Sequence, residues 1–232
     1  MSIGSTVLRV IDMHMAWWRW DVLLLICCGL IFVIWPELDY WWASQFYRAG
    51  DGFYLRDLAP VQWVYRGFAW LQWPILVTLL ATMGWAIRRH PPGHIARRRV
   101  YFLLVLLLLG PGLVVNELIK KNSGRERPDD TLMFAGESPH QDFLDFSGGC
   151  ATNCSFVSGH AALGFWFIGL GWAFARRRYL WLGIGVGMIV GFGRIVQGNH
   201  YLSDVVFAFW FVYACALVLA RGYGLSLRRD FT

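Results

Sequence analysis

The stretch "RRHPPGHIARRR", residues 88–99, decides how the chain is laid out. Apolar runs flank it at about 67–87 and 100–119. Each is long enough to cross a bilayer, which takes about 20 mainly apolar residues. Cations packed into a short connection between two such runs mark the cytoplasmic side. Two further basic clusters, "RRR" (176–178) and "RGYGLSLRRD" (221–230), stand downstream, and apolar runs at roughly 18–36, 158–175, 179–196 and 205–221 complete a set of six. An even number of runs separates the basic clusters from one another and from the N-terminus. One orientation therefore satisfies all of them. Both termini are expected in the cytoplasm, and the connections at about 37–66, 120–157 and 194–204 are expected to face outward.

Composition points the same way. The 232 residues are 57% hydrophobic and 16% charged, with mean hydropathy +0.45. Soluble domains are about 45–50% apolar and about 25% charged. Many of the 14 Trp lie near the ends of apolar runs (Trp17, Trp18, Trp20, Trp35, Trp41, Trp42), as interfacial belts do. A net charge of +6 with a pI near 9.3 raises the question of nucleic acid. The cations sit in short clusters beside apolar runs, which reads as topology and not as a nucleic-acid surface. The first run, Val22 to Trp35, follows a mixed-charge segment (Arg9, Asp12, Arg19, Asp21) with no small-residue cleavage site after it, so a retained helix is expected there. The expected fold is all-α: a polytopic six-helix membrane bundle forming a single domain over 1–232.

Cys27, Cys28 and Cys215 fall within apolar runs and read as packing residues. Cys150 and Cys154 lie in a polar outward loop without further ligands of suitable spacing, which argues against zinc and leaves a disulfide open if that loop faces an oxidising compartment. Gly183, Gly187 and Gly191, four apart in the fifth run, are expected to let a neighbouring helix approach closely. The first outward loop, "ELDYWWASQFYRAGDGFYLRD", is aromatic enough to lie along the interface.

Three polar clusters gather at the outer ends of runs three to six. "KKNSGRERP" supplies Lys120 and, seven residues on, Arg127. "CSFVSGHAALGF" opens the fourth run with Ser158, Gly159 and His160, and "GRIVQGNHYLSD" joins the last two runs with Arg194, His200 and Asp204. Each has a structural explanation when taken alone. Lysines at a helix C-terminus complement its dipole; Glu117 and Lys121 are spaced to pair; Ser158 is a good helix cap. Ionisable groups at bilayer depth nevertheless cost at least about 2.5–3.5 kcal/mol each on insertion scales, and so many in one place imply a shared role. One Lys and two Arg make a cationic cradle suited to phosphate oxygens, and a helix opening "SGH" adds free backbone N–H groups for an anion. His200 and Asp204, at i and i+4, can hold the imidazole in one tautomer and free its other nitrogen for attack. His160 is then available as a proton donor.

In the order K-x6-RP, SGH and R-x5-H-x3-D, these clusters resemble the signature motifs of the type 2 phosphatidic acid phosphatase family, whose superfamily includes bacterial acid phosphatases and vanadium haloperoxidases. The motifs cover about 120–204, and the six-run layout extends the likeness over most of the chain. The resemblance implies His200 as a nucleophile forming a phosphohistidine, Asp204 as its orienter and His160 as general acid. It also implies Lys120, Arg127, Arg194, Ser158 and Gly159 around the phosphate, with no metal and no other cofactor. This sequence departs from the family at Val157, where Pro is usual, and at Gly193, where Ser is usual.

The expected function is hydrolysis of a phosphate monoester or diphosphate on a lipid head group at the outer, periplasmic leaflet of a bacterial inner membrane. Candidate lipids are lipid A, undecaprenyl diphosphate, phosphatidylglycerol phosphate and phosphatidic acid. "CATNCSFVSGH" looks most like the lipid A phosphatase branch. The expected partners are the lipid substrate and the bilayer, with no nucleic acid. A lipid phosphotransferase would share the first half-reaction. An anion or lipid transporter is the rival of another class, but the middles of runs four and six carry no polar path.

Overall fold

A computed structural model of the chain describes residues 20–227. Trp17, Trp18, Arg9, Asp12, Arg19 and the tail pair Arg228 and Arg229 lie outside the described residues, as does the start of the first expected run. The protein is mostly helical. Helix α1 (Trp20–Ile34) bends by 81° into the short α2 (Glu37–Ser44), and a two-strand hairpin follows, β1 (Tyr47–Arg48) against β2 (Gly52–Phe53). Next come α3 (Ala59–Arg89) and α4 (Ile95–Leu107). The latter continues as a π-helical segment, Leu108–Ile119, and a 3-10 turn, Lys120–Asn122. After a long loop come α5 (Gly159–Trp166), α6 (Gly169–Phe174), α7 (Arg177–Val196) and α8 (Leu202–Gly222).

Four helices among the described residues are long and apolar enough to cross a membrane: α3, the continuous Ile95–Asn122, α7 and α8. The bent pair α1/α2 makes a fifth if it counts as one span. The expected run at 158–175 is a shorter apolar stretch, Gly159–Phe174, interrupted between α5 and α6. Large side chains such as Trp63, Trp70, Val77, Trp181 and Ile189 are exposed, as a lipid-facing surface requires. The core lies between α4, α5, α7 and α8, where Phe102, Leu106, Phe165, Ile168, Val205 and Val212 are buried.

The glycines of α7 do pack. A Cβ at Gly183 would overlap the backbone of Phe167 and Ile168, at Gly187 the ring of Phe165, and at Gly191 the side chain of Val205. This lets α5 and α8 seat closely on α7. Winding changes in α4 where Pro111 stands in the helix interior, since proline lacks the N–H a regular turn needs. Asn116 Nδ2 donates to the Pro111 carbonyl at 2.7 Å. The widened turns end at Lys120, so they set the direction in which that side chain leaves the helix.

The basic loop 88–99 works as a set of helix caps. Arg97 Nε donates to Ala86 O at 3.3 Å and its Nη2 donates to Ile87 O, closing α3; His94 Nδ1 accepts from Ala96 N at 3.2 Å, opening α4. Arg98 reaches the end of α8, donating to the carbonyls of Tyr223 (2.6 Å) and Gly224 (2.7 Å). Two of the basic clusters therefore meet at one end of the bundle. The polar motifs meet at the other.

Candidate active site

Four chain segments converge at that second end: the close of α4, the start of α5, the close of α7 and the start of α8. Ser158 caps α5, its hydroxyl accepting from Ala161 N at 3.4 Å. The loops are tied together by backbone bonds from Ser158 N to Asp204 O (3.2 Å), Asp129 N to Gly198 O (3.0 Å) and Ser155 N to Arg125 O (2.8 Å). Lys120, Ser158, Arg194, His200 and Asp204 are all buried. The Lys120, Arg127 and Arg194 charges act on one another and on His160, and those of Lys120 and Arg194 also reach His200. All the residues named from the sequence are thus gathered around one site.

His200 and Asp204 do not share a helical face, because α8 begins only at Leu202. Instead His200 lies in the turn before the helix, and the Asp204 carboxylate folds back over the helix start. Its Oδ2 accepts from Tyr201 N at 2.8 Å and lies 3.3 Å from His200 Nδ1. The Nε2 atoms of both His200 and His160 are buried and have no hydrogen-bond partner among the described residues. Burial, together with the charges of Lys120 and Arg194, outweighs the pull of Asp204 and pushes the His200 pKa down to about 3. This favours the neutral ring, with Nδ1 against a carboxylate and Nε2 facing no protein partner among the described residues.

The cations are aimed by residues that the motifs leave unspecified. Arg127 donates from Nη1 to Asn199 Oδ1 (2.9 Å), and from Nε (3.2 Å) and Nη2 (3.0 Å) to Asn153 O. Asn153 adopts the left-handed conformation (φ 54°) inside the loop closed by a Cys150–Cys154 disulfide, whose Cα atoms are 5.6 Å apart. The Arg194 guanidinium lies 4.5 Å above the Tyr65 ring, its Nη1 donates to Gln197 Oε1, and its Nε has no partner among the described residues. The Tyr65 ring also lies against His160, with ring centroids 5.2 Å apart. A Cβ at Gly159 would overlap Asn116 Oδ1, so any larger residue there would have to displace the Asn116 side chain.

A cavity of about 420 Å3 opens between α3, α4 and α5. Lys120, Asn153, Gly159 and His160 line its polar part, while Phe68, Trp73, Leu76, Leu107 and Leu163 supply apolar walls. Asp129, whose N–H bonds to Gly198 O in the α7–α8 turn, pairs with Arg56 of the loop before α3. Burial raises its pKa, an effect the Arg56 charge partly offsets. Lys121 and Glu117 pair at the surface, as their spacing suggests.

Sequence reasoning missed Arg125. Only 1% exposed, it donates from Nη1 to Asp204 Oδ1 and Ser203 Oγ, and from Nη2 to Asp39 Oδ2, each at 2.8 Å. Burial works against its charge, but the Asp204 and Asp39 carboxylates more than offset this and its pKa is raised. Ser155 Oγ also donates to Asp204 Oδ2. Nothing in the pattern distinguished Arg125 from a loop cation, because its partners Asp39 and Asp204 are remote in sequence. No group of three or more His, Cys, Asp or Glu among the described residues is placed to hold a metal ion.

A helical bundle carrying K-x6-RP, SGH and R-x5-H-x3-D around one buried site defines the class: the chain belongs to the PAP2 superfamily, whose family model matches residues 99–227. Among individual proteins, it is 33% identical over 220 residues to a lipid A 4'-phosphatase of Francisella tularensis subsp. novicida, covering 89% of this chain and 95% of that one. A lipid A 4'-phosphatase of Rhizobium leguminosarum is 29% identical over 212 residues, 82% of this chain and 86% of its own. A lipid A 1-phosphatase of Rhizobium johnstonii is 36% identical over 118 residues, 47% and 44% of the two chains. No solved structure matches the chain.

Proposed function

We propose that the protein is an integral membrane phosphatase that hydrolyses a phosphate monoester on the head group of a lipid A-type lipid at the outer, periplasmic face of a bacterial inner membrane. The observation that carries this reading is the cavity, which has His160 and Lys120 in its polar part and apolar walls along α3 and α4. Such a shape suits a molecule with a phosphate at one end and hydrocarbon at the other. The lipid A phosphatase relatives, similar along nearly the whole chain, support the substrate class. Six crossings with both termini inside fit the joining of basic clusters at the opposite end. In this reading α1/α2 and Gly159–Phe174 are the two shorter spans.

Lys120, Arg127 and Arg194 hold the phosphate oxygens, with Ser158 and the backbone at Gly159 completing the cradle. His200 Nε2 attacks phosphorus in line with the bond to the lipid oxygen. That bond breaks, and His160 gives the leaving oxygen its proton. Deprotonated His160 then takes a proton from water, which attacks the phosphohistidine and releases inorganic phosphate. The fixed cations stabilise the charge of the transferring group in both steps, so this scheme requires no metal. The Cys150–Cys154 disulfide suits the oxidising periplasm.

Phosphate release by purified protein, across lipid A, phosphatidic acid, phosphatidylglycerol phosphate and undecaprenyl diphosphate, tests this reading. Release from lipid A that persists in EDTA and disappears in His200→Ala is expected. Release from none of these lipids, or complete loss on chelation, would overturn it.

A further inference from the structure

Arg125 has no part in the chemistry just described, yet it is held more completely than any cation of the cradle. We propose that Arg125, braced by Asp39, is a positioning residue that determines which nitrogen of His200 carries the hydrogen, and so whether Nε2 keeps its lone pair. The inference rests on His200 being the nucleophile.

Asp204 has two oxygens and four donors. Oδ1 is taken by Arg125 Nη1 at 2.8 Å. Oδ2 is left for Tyr201 N at 2.8 Å, the Ser155 hydroxyl and His200 Nδ1 at 3.3 Å. Asp204 is wholly buried, and a carboxylate there without a cation would take up a proton to escape the cost of desolvation. A protonated Asp204 can donate to Nδ1. The imidazole would then carry its hydrogen on Nε2 and lose the lone pair that attacks. Arg125 keeps Asp204 an acceptor, and through it keeps His200 in the reactive tautomer.

The rest of the guanidinium is fixed so that it cannot swing away. Nη2 donates to Asp39 Oδ2 at 2.8 Å, Nε donates to Gln141 O at 3.2 Å, and the Tyr201 ring lies 4.2 Å beneath. Asp39, only 1% exposed, also accepts from the hydroxyl of Ser203 and from its backbone N–H at 2.8 Å, satisfying one of the free N–H groups at the start of α8. A planar fork holds two carboxylates on opposite sides in fixed directions; the rotatable donors of an ammonium fix neither. The bend after α1 thus has a use, because it brings Asp39 of α2 to the site. Since Nε, Nη1 and Nη2 all donate to protein, Arg125 acts on the reaction through Asp204 and does not grip the phosphate.

The test compares full-length wild type, Arg125→Lys, Asp39→Asn and His200→Ala in detergent, with dispersed lipid A as substrate and inorganic phosphate as inhibitor. Arg125→Lys is expected to lower kcat by about 10–100-fold, the usual effect of losing an orienting partner. KM and phosphate inhibition should stay within about threefold, since the cradle is untouched. Asp39→Asn should lower kcat in the same selective way, by less. A folded Arg125→Lys with wild-type kcat would overturn the proposal, as would equal losses in kcat and in phosphate affinity. If Arg125→Lys does not fold, Asp39→Asn decides, and an unchanged kcat there overturns the proposal. Wild-type activity in His200→Ala would instead overturn the nucleophile reading.

Discussion

The Arg194 guanidinium lies 4.5 Å above the ring of Tyr65, which reaches it from α3. This contact joins the helix along one wall of the cavity to the cationic cradle. A desolvated cation–π contact is worth about 2 kcal/mol or more. Tyr65→Leu should therefore raise KM for lipid A several-fold, while Tyr65→Phe, which keeps the ring face, should stay near wild type. Steady-state kinetics of the two variants check this, and equal effects would argue for the hydroxyl instead.

Arg127 is aimed by the Asn153 carbonyl, which sits in the short loop closed by Cys150 and Cys154. Opening that loop frees the carbonyl before it disturbs the helices. Reduction with a membrane-permeant thiol, or the double variant Cys150→Ala/Cys154→Ala, should raise KM and weaken phosphate inhibition while leaving the thermal unfolding midpoint within a few degrees. A KM that ignores reduction would show that Asn199 alone holds Arg127.

The sign of the pH response follows from His200. Its pKa lies at about 3, below the ordinary 6.5, because the buried ring is favoured in its neutral form. The nucleophile therefore stays neutral as pH falls from 7 to 5, and kcat/KM should not decline over that range on its account. The neutral ring stabilises the fold fully above pH 6.5. That contribution drains away as pH falls from 6.5 towards 3, since only the unfolded chain takes up the proton. Thermal unfolding of wild type and His200→Gln across pH 7 to 4 measures it: the wild-type midpoint should fall more steeply.

Gly193 stands where the family usually has Ser, and the backbone accepts that change. A Cβ there meets only Val64 Cγ1, at 3.9 Å. Gly193→Ser should fold as wild type, and its helix should gain slightly in propensity over glycine. If the hydroxyl reaches the phosphate, inhibition by inorganic phosphate tightens. Unchanged inhibition means Arg194 and the backbone already suffice.

The long apolar runs and the alternation of basic clusters were legible because they depend on composition over many residues. Helices α3, α7 and α8 and the span Ile95–Asn122 accordingly lie close to the expected runs, whereas the 81° bend after α1 and the break between α5 and α6 do not show in hydropathy. The grouping of the motif residues was legible because their types and spacing recur together, and the fold does bring them to one end of the bundle. Their supports were not. Asp39 and Arg125 meet across 86 residues, and Arg125 and Asp204 across 79, so no local pattern links them. Tyr65 and Asn153 read as an ordinary aromatic and an ordinary loop residue until the fold brings them to Arg194 and Arg127.

The central claim, that His200 carries the phosphoryl group, can be tested directly by rapid alkaline quenching of wild type, His200→Ala and His160→Ala during turnover of lipid A labelled in its phosphate. The account predicts base-stable, acid-labile label on His200 in the wild type. It predicts none in His200→Ala, and slower hydrolysis of the phosphoenzyme in His160→Ala, which lacks the group that activates water. Release of phosphate by His200→Ala at the wild-type rate, or label on another residue, would contradict it.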